Sequence, residues 1–181
     1  MPEGSTVTVV VGNPKPMSRT RTVAERVALA AAAAGGMPIA PGDMTTIDLA
    51  DVGPQLFDWS SSEVKAAAAA LSASTLAVIA TPVYKATYTG LLKAFLDWFG
   101  QTGLAGVTVV PLMVGAAPHH ALAVEVHLRP LLVEIGATVP TRGLFVMESE
   151  LEALDATIDT WLQQAAPLLA ASLRTGQAGH A

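Results

Sequence analysis

Two loops hold the residue types most able to do chemistry. Gly12-Asn-Pro-Lys-Pro-Met-Ser-Arg-Thr20 sets the hydroxyls of Ser18, Thr20 and nearby Thr22 beside positive charge at Lys15, Arg19 and Arg21. It lies between a β-branched run and an Ala/Val/Leu-rich helix, whose unpaired N-terminal N–H groups attract anions. Together these groups suit a phosphate. The spacing is neither the Gly-Lys-Ser/Thr ending of a P-loop nor Gly-x-Gly-x-x-Gly, which removes support for ATP or a Rossmann-bound dinucleotide. The same residues would also serve an ordinary strand-to-helix loop, with Ser18 as N-cap and solvated basic side chains.

The second loop, Thr81-Pro-Val-Tyr-Lys-Ala-Thr-Tyr-Thr-Gly90, contains both tyrosines of the chain. A long, semi-rigid loop of this kind suits a planar ring: backbone amides meet its polar edge, and Tyr84 or nearby apolar atoms cover a face. Alternatively, the tyrosines only pack the loop down. His119 and His120 open a later helix near the same end, as ring or nicotinamide contacts or as locally satisfied residues. No His, Asp and Glu converge in the sequence as a metal site would require, and with no cysteine there is no thiolate, disulfide or Cys nucleophile.

The elements around these loops alternate. Strands are predicted at Thr6–Gly12, Met44–Leu49, Thr75–Ala80, Val107–Val114 and Gly143–Met147, with Thr81-Pro82 stopping the third. Helices are predicted at Thr20–Gly35, from Ser61, and at Thr89–Phe99, His119–Ile135 and Glu150–Leu173, with Ala50–Trp59 irregular. This is an α/β fold: a five-stranded parallel sheet, order 2-1-3-4-5, with helices on both faces. Ligands of such sheets bind beyond the strands' carboxyl ends where the order reverses, which selects the loops after strands one, three and four. Residues 1–174 are expected to form one domain, and 175–181 a flexible, polar tail.

The bulk numbers agree with a folded enzyme-sized domain. Of 181 residues, 51% are hydrophobic and 14% charged, and the net charge of −5 comes with no basic cluster, so no nucleic acid is expected. The first residues lack the pattern of a signal peptide, and no apolar stretch is long enough for a membrane span, so a cytoplasmic location is expected. A positive mean hydropathy leaves apolar surface that subunit contacts would cover.

Gly12-Asn-Pro-Lys-x-x-Ser-Arg-Thr20 resembles the Gly-Ser-x-Arg-x-x-Ser phosphate loop of the NADPH-dependent FMN reductases. Thr81–Gly90, followed by Leu-Leu-Lys-Ala-Phe-Leu-Asp97, resembles their isoalloxazine loop and next helix. His120-Ala-Leu-Ala-Val-Glu-Val-His-Leu-Arg-Pro130 resembles the subgroup serving alkanesulfonate and methanesulfonate monooxygenases. The resemblance spans about Val7 to Phe145. It implies a flavodoxin-like fold, FMN with NADPH or NADH, delivery of reduced FMN to a partner monooxygenase, and a homo-oligomer (dimer or tetramer).

Carried over by position, the resemblance gives Ser18, Arg19 and Thr20 the FMN phosphate. Asn13 and Lys15 stand where the family has Ser and Arg; Lys loses Arg's bidentate fork but keeps a point charge. Pro82, Val83, Tyr84 and Lys85 would flank the ring, with Gly115 beside it and His120 nearby. No catalytic side chain is implied, because hydride passes between cofactors. The alternatives are a flavin-retaining quinone or azo reductase and, without enzymatic activity, a flavodoxin-type electron carrier.

The stretch His119–Ile135 is apolar nearly all round, apart from Glu125 and Arg129 at i,i+4 and His127 opposite them. Burial on more than one side follows, as at a subunit interface. Pro130 removes a donor and crowds the carbonyl of Val126, so a kink is expected there. Some members of the sulfonate subgroup carry a one-residue π-bulge here at their tetramer contact.

Overall fold

A computed structural model describes residues 6–178. Five parallel strands form one sheet: β1 (Val7–Val11), β2 (Met44–Asp48), β3 (Leu76–Pro82), β4 (Thr108–Gly115) and β5 (Leu144–Met147), in the order β2-β1-β3-β4-β5. Every residue of β1, β3 and β4 is buried, as expected of strands with helices on both faces. One face packs Val9, Val78 and Leu112 against α1 (Arg19–Ala34) and α6 (Leu154–Ala178). The other packs Val10, Ile79 and Met113 against α3 (Ser62–Ser72), α4 (Gly90–Leu96) and α5 (Arg129–Glu134). The alternation along each strand divides the core into two layers.

β3 continues through Thr81 to Pro82, past the stop expected there. The Ala80 carbonyl accepts from Gly12 N–H at 2.7 Å, so residues 80 and 82 both face β1. β1 has ended by that level, and the Gly12 carbonyl that would come next in the ladder is taken by the Thr89 hydroxyl, so the N–H that proline lacks is not needed there. Val83, facing the other way, still donates to the Val114 carbonyl at 2.8 Å. Pro111 is tolerated inside β4 in the same manner. Val109 N–H reaches the Thr138 carbonyl on the β5 side, and β5 itself begins only opposite Leu112.

The helices depart from expectation mainly at their ends. Ala50–Trp59 was expected to be irregular, yet Leu49–Val52 makes one helical turn, α2, capped by Asp48, and a 3₁₀ turn follows at Gly53–Gln55. The Thr89–Phe99 helix is shorter, ending at Leu96, and 3₁₀ geometry at Glu148–Ala153 precedes α6. The expected tail from Thr175 continues α6 as far as Ala178, and 179–181 lie outside the described residues. No helix among the described residues is long and apolar enough to cross a membrane.

The largest difference is at His119–Ile135. The segment divides into a 3₁₀ turn at Pro118–His120, a π-turn at Val124–Leu128, and α5. Arg129 N–H donates to the Val124 carbonyl, five residues back. Pro130 has no N–H to continue the usual four-residue ladder, so the disturbance expected at Val126 takes the form of one wide turn.

Candidate functional site

The loops after β1, β3 and β4 meet at the carboxyl end of the sheet, where β2 and β3 lie on opposite sides of β1. The first loop starts at Gly12, which must be small: a Cβ there would sit 2.6 Å from Leu92 Cβ on α4. The close approach lets Thr89, the N-cap of α4, donate its hydroxyl to the Gly12 carbonyl at 2.6 Å while accepting from Leu92 N–H at 3.1 Å. Thr89 N–H in turn donates to the Thr81 hydroxyl at 3.2 Å. Thr81 and Thr89 are both buried, so these bonds are shielded from water and clasp the first two loops together.

Beyond Gly12 the loop folds on its own polar groups. Asn13 Oδ1 accepts from Lys15 N–H, and Asn13 Nδ2 donates to the Thr20 hydroxyl, each at 3.0 Å. Met17 takes a left-handed φ of 51°, its N–H held by Asp48 Oδ2 at 3.2 Å. Ser18 then caps α1 by accepting from Arg21 N–H at 3.3 Å, and is itself buried. Arg21 N–H and Thr22 N–H are occupied by Ser18, which leaves the amides of Arg19 and Thr20 at the helix start to meet an anion.

The cations of this loop are not equivalent. Arg21 is bound to Glu25 at 2.9 Å and lies 3.7 Å from Asp48. Arg19 donates to Glu148, just past β5, at 3.0 Å. Lys15 is exposed and makes no ion pair among the described residues. Asp48 and Glu148 therefore flank the loop from the ends of β2 and β5. Sequence reasoning passed over both; an acid at the carboxyl end of the strand beside β1 was the available signal for Asp48.

The second loop leaves Pro82, buried at the end of β3, and folds into a tight hairpin. Tyr84 and Thr87 exchange backbone hydrogen bonds of 2.9 and 3.1 Å, with Lys85 and Ala86 at φ 50° and 66°. Positive φ at both central residues is the type I′ arrangement, which ordinarily selects Asn-Gly. Two residues with side chains hold it here. Tyr84 and Lys85 are exposed, and Val83 packs at the edge of the core.

Gly115 ends β4 with its α-carbon against Phe145, where an added Cβ would be 2.7 Å from a ring carbon and 3.4 Å from Val83 Cγ2. In the following 3₁₀ turn the His119 and His120 rings meet edge to face, centroids 4.2 Å apart. His120 Nδ1 is buried and has no hydrogen-bond partner among the described residues. All eleven residues expected from the sequence thus lie in or directly beside three neighbouring loops, Arg19 and Thr20 in the first turn of α1 and Pro82 and Gly115 at the ends of β3 and β4, though Asn13 and Thr20 spend side-chain bonds on each other. A buried hydroxyl, two amides, two lysines (Lys15 and Lys85) without an ion pair among the described residues, and a buried imidazole nitrogen fit a phosphorylated ring compound. Among the described residues no cluster of three His, Asp or Glu side chains could hold a metal.

Comparison with known proteins gives a consistent result. Residues 5–152 match the family model of NADPH-dependent FMN reductases. An FMN reductase (NADPH) of Escherichia coli is 41% identical over 73 residues, a match spanning 40% of this chain and only 38% of that enzyme. The NADH-dependent FMN reductase SfnF of Pseudomonas fluorescens is 29% identical over 167 residues, covering 86% of this chain and 88% of the relative. Among solved structures, an apo NADH:FMN oxidoreductase (EMOB) superposes with a TM-score of 0.73 at 31% identity, covering 88% and 89% of the two chains.

Proposed function

Because the chain belongs to the NADPH-dependent FMN reductase family, we propose that it is an NAD(P)H:FMN oxidoreductase that passes reduced FMN to a separate, sulfonate-type monooxygenase. The observation that carries this reading is the buried Thr89–Gly12 bond, which fixes the Ser18 helix start and the Tyr84–Thr87 hairpin in one frame. When bound, FMN supplies the hydride-accepting ring, so no side chain need act as nucleophile or general base.

The residues of the chain bind and orient. Ser18, the Arg19 and Thr20 amides, Lys15 and Arg19 would hold the phosphate, with Asn13 bracing the loop. Pro82, Val83, Tyr84 and Lys85 would border the ring, Gly115 lets Phe145 close against the end of β4 beside it, and His120 would stand nearby. These loops would orient a bound flavin toward the nicotinamide, and that positioning would supply the rate gain. Both NADPH and NADH are retained as donors, since the relatives' names give one each. A reaction that draws on nicotinamide nucleotides is expected in the cytoplasm.

The monooxygenase partner is supported by the likeness of His120–Pro130 to the sulfonate subgroup. A homo-oligomer, dimer or tetramer, is supported by Leu122, Val126 and Val133, which are 68%, 59% and 54% exposed along the 119–135 segment. One anaerobic size-exclusion run with light scattering, on protein mixed with FMN and excess NADPH or NADH, tests the release of reduced flavin that such a partner requires, and the oligomer. Reduced flavin should elute apart from protein whose mass is two or four chains. Flavin that stays with the protein one-to-one would favour a flavin-retaining quinone or azo reductase, and a monomer would remove the oligomer.

A further inference from the structure

Two of the basic residues at the start of α1 are paired, but in different ways. The Arg21 partner Glu25 is itself fixed by the Thr46 hydroxyl at 3.0 Å, and Asp48 is buried and accepts from Met17 and Ala50 N–H. Those acids are part of the framework. Glu148 is different: its carboxylate meets only Arg19 among the described residues, with the two side chains 69% (Arg19) and 41% (Glu148) exposed. An exposed single-contact pair is weak and exchangeable. It nevertheless places a negative charge within 3.0 Å of an arginine assigned to the phosphate.

We propose that Glu148 is an internal competitor of the flavin phosphate for Arg19, and so a residue that sets how firmly FMN is retained. The proposal rests on the phosphate reading given above. A flavin phosphate entering at Ser18 must draw Arg19 from Glu148 or share it, and in either case lies near a fixed carboxylate of like charge. The phosphate is close to a dianion at neutral pH, so the opposition acts on FMN. Riboflavin, which lacks the phosphate, does not meet it. An enzyme that hands its flavin to another protein benefits from such a counterweight, because affinity falls without loss of any contact to the ring.

The test is a fluorescence titration of wild type, Glu148→Gln and Glu150→Gln with FMN and with riboflavin, at low and high salt. Glu150 is an exposed neighbour in the same 3₁₀ turn, and its change gives the same difference in net charge. Glu148→Gln should bind FMN roughly two- to tenfold more tightly at low salt, with the gain shrinking as salt screens it. Riboflavin affinity should not change, and Glu150→Gln should match wild type. Wild type that prefers FMN, with no gain in Glu148→Gln or an equal gain in Glu150→Gln, would overturn the competitor role alone. Wild type that binds FMN and riboflavin alike would remove the phosphate reading, and this proposal with it.

Discussion

Lys15 is the cation of the β1–α1 loop that no carboxylate neutralises among the described residues. Its charge is therefore free to meet a phosphate, whereas Arg19 would have to give up or share Glu148 to bind one. Lys15→Ala should weaken FMN binding by roughly fivefold or more, and Arg19→Ala by about twofold, with riboflavin affinity unchanged in both. Flavin fluorescence titration checks the ranking; an Arg19→Ala loss at least as large as that of Lys15→Ala would contradict it. The sequence makes the candidate groups legible, since hydroxyls and cations between a buried strand and a helix start have few other uses. It does not reveal which cation is free. Arg19 and Glu148 are 129 residues apart, on segments that follow β1 and β5, two strands the sheet separates by β3 and β4, and only the folded chain brings them together.

At the scale of elements, the sheet order was readable from alternation alone, because buried parallel strands and their crossover helices leave few topologies. The 3₁₀, π and type I′ turns were not, because each depends on contacts made elsewhere in the fold. Pro130 announces a disturbance but not its form. The π-turn is held by Arg129, which donates to the Val139 and Thr141 carbonyls, and by Glu125, which accepts from Gly143 N–H. Both residues thereby grip the segment that leads into β5. The Tyr84–Thr87 hairpin is a second case: Lys85-Ala86 lacks the Asn-Gly signature, and tertiary contacts impose the turn against local preference. Ala86→Gly should relieve the left-handed strain and raise stability by about 0.5–1 kcal/mol, the gain being limited by glycine's larger entropy loss on folding. Thermal denaturation reads this as a rise of roughly 1–4 °C in Tm. A lower Tm would show that the turn is not strained.

For the molecule as a whole, the sheet gathers three loops at one end while the 119–135 segment turns an apolar face outward. In the reading proposed above, the loops would take the flavin and the exposed face of Leu122, Val126 and Val133 a second copy. The central claim is that the gathered loops hold FMN by its phosphate and its ring for reduction by a nicotinamide. Steady-state oxidation of NADPH and of NADH, each with FMN, FAD and riboflavin as acceptors, tests it most directly. Sustained turnover with FMN is expected, with a KM roughly tenfold or more below that for riboflavin, the difference that a charge-assisted phosphate contact supplies. Negligible oxidation of both nicotinamides with added FMN, as a flavodoxin-type carrier would show, or equal KM values for FMN and riboflavin, would contradict it.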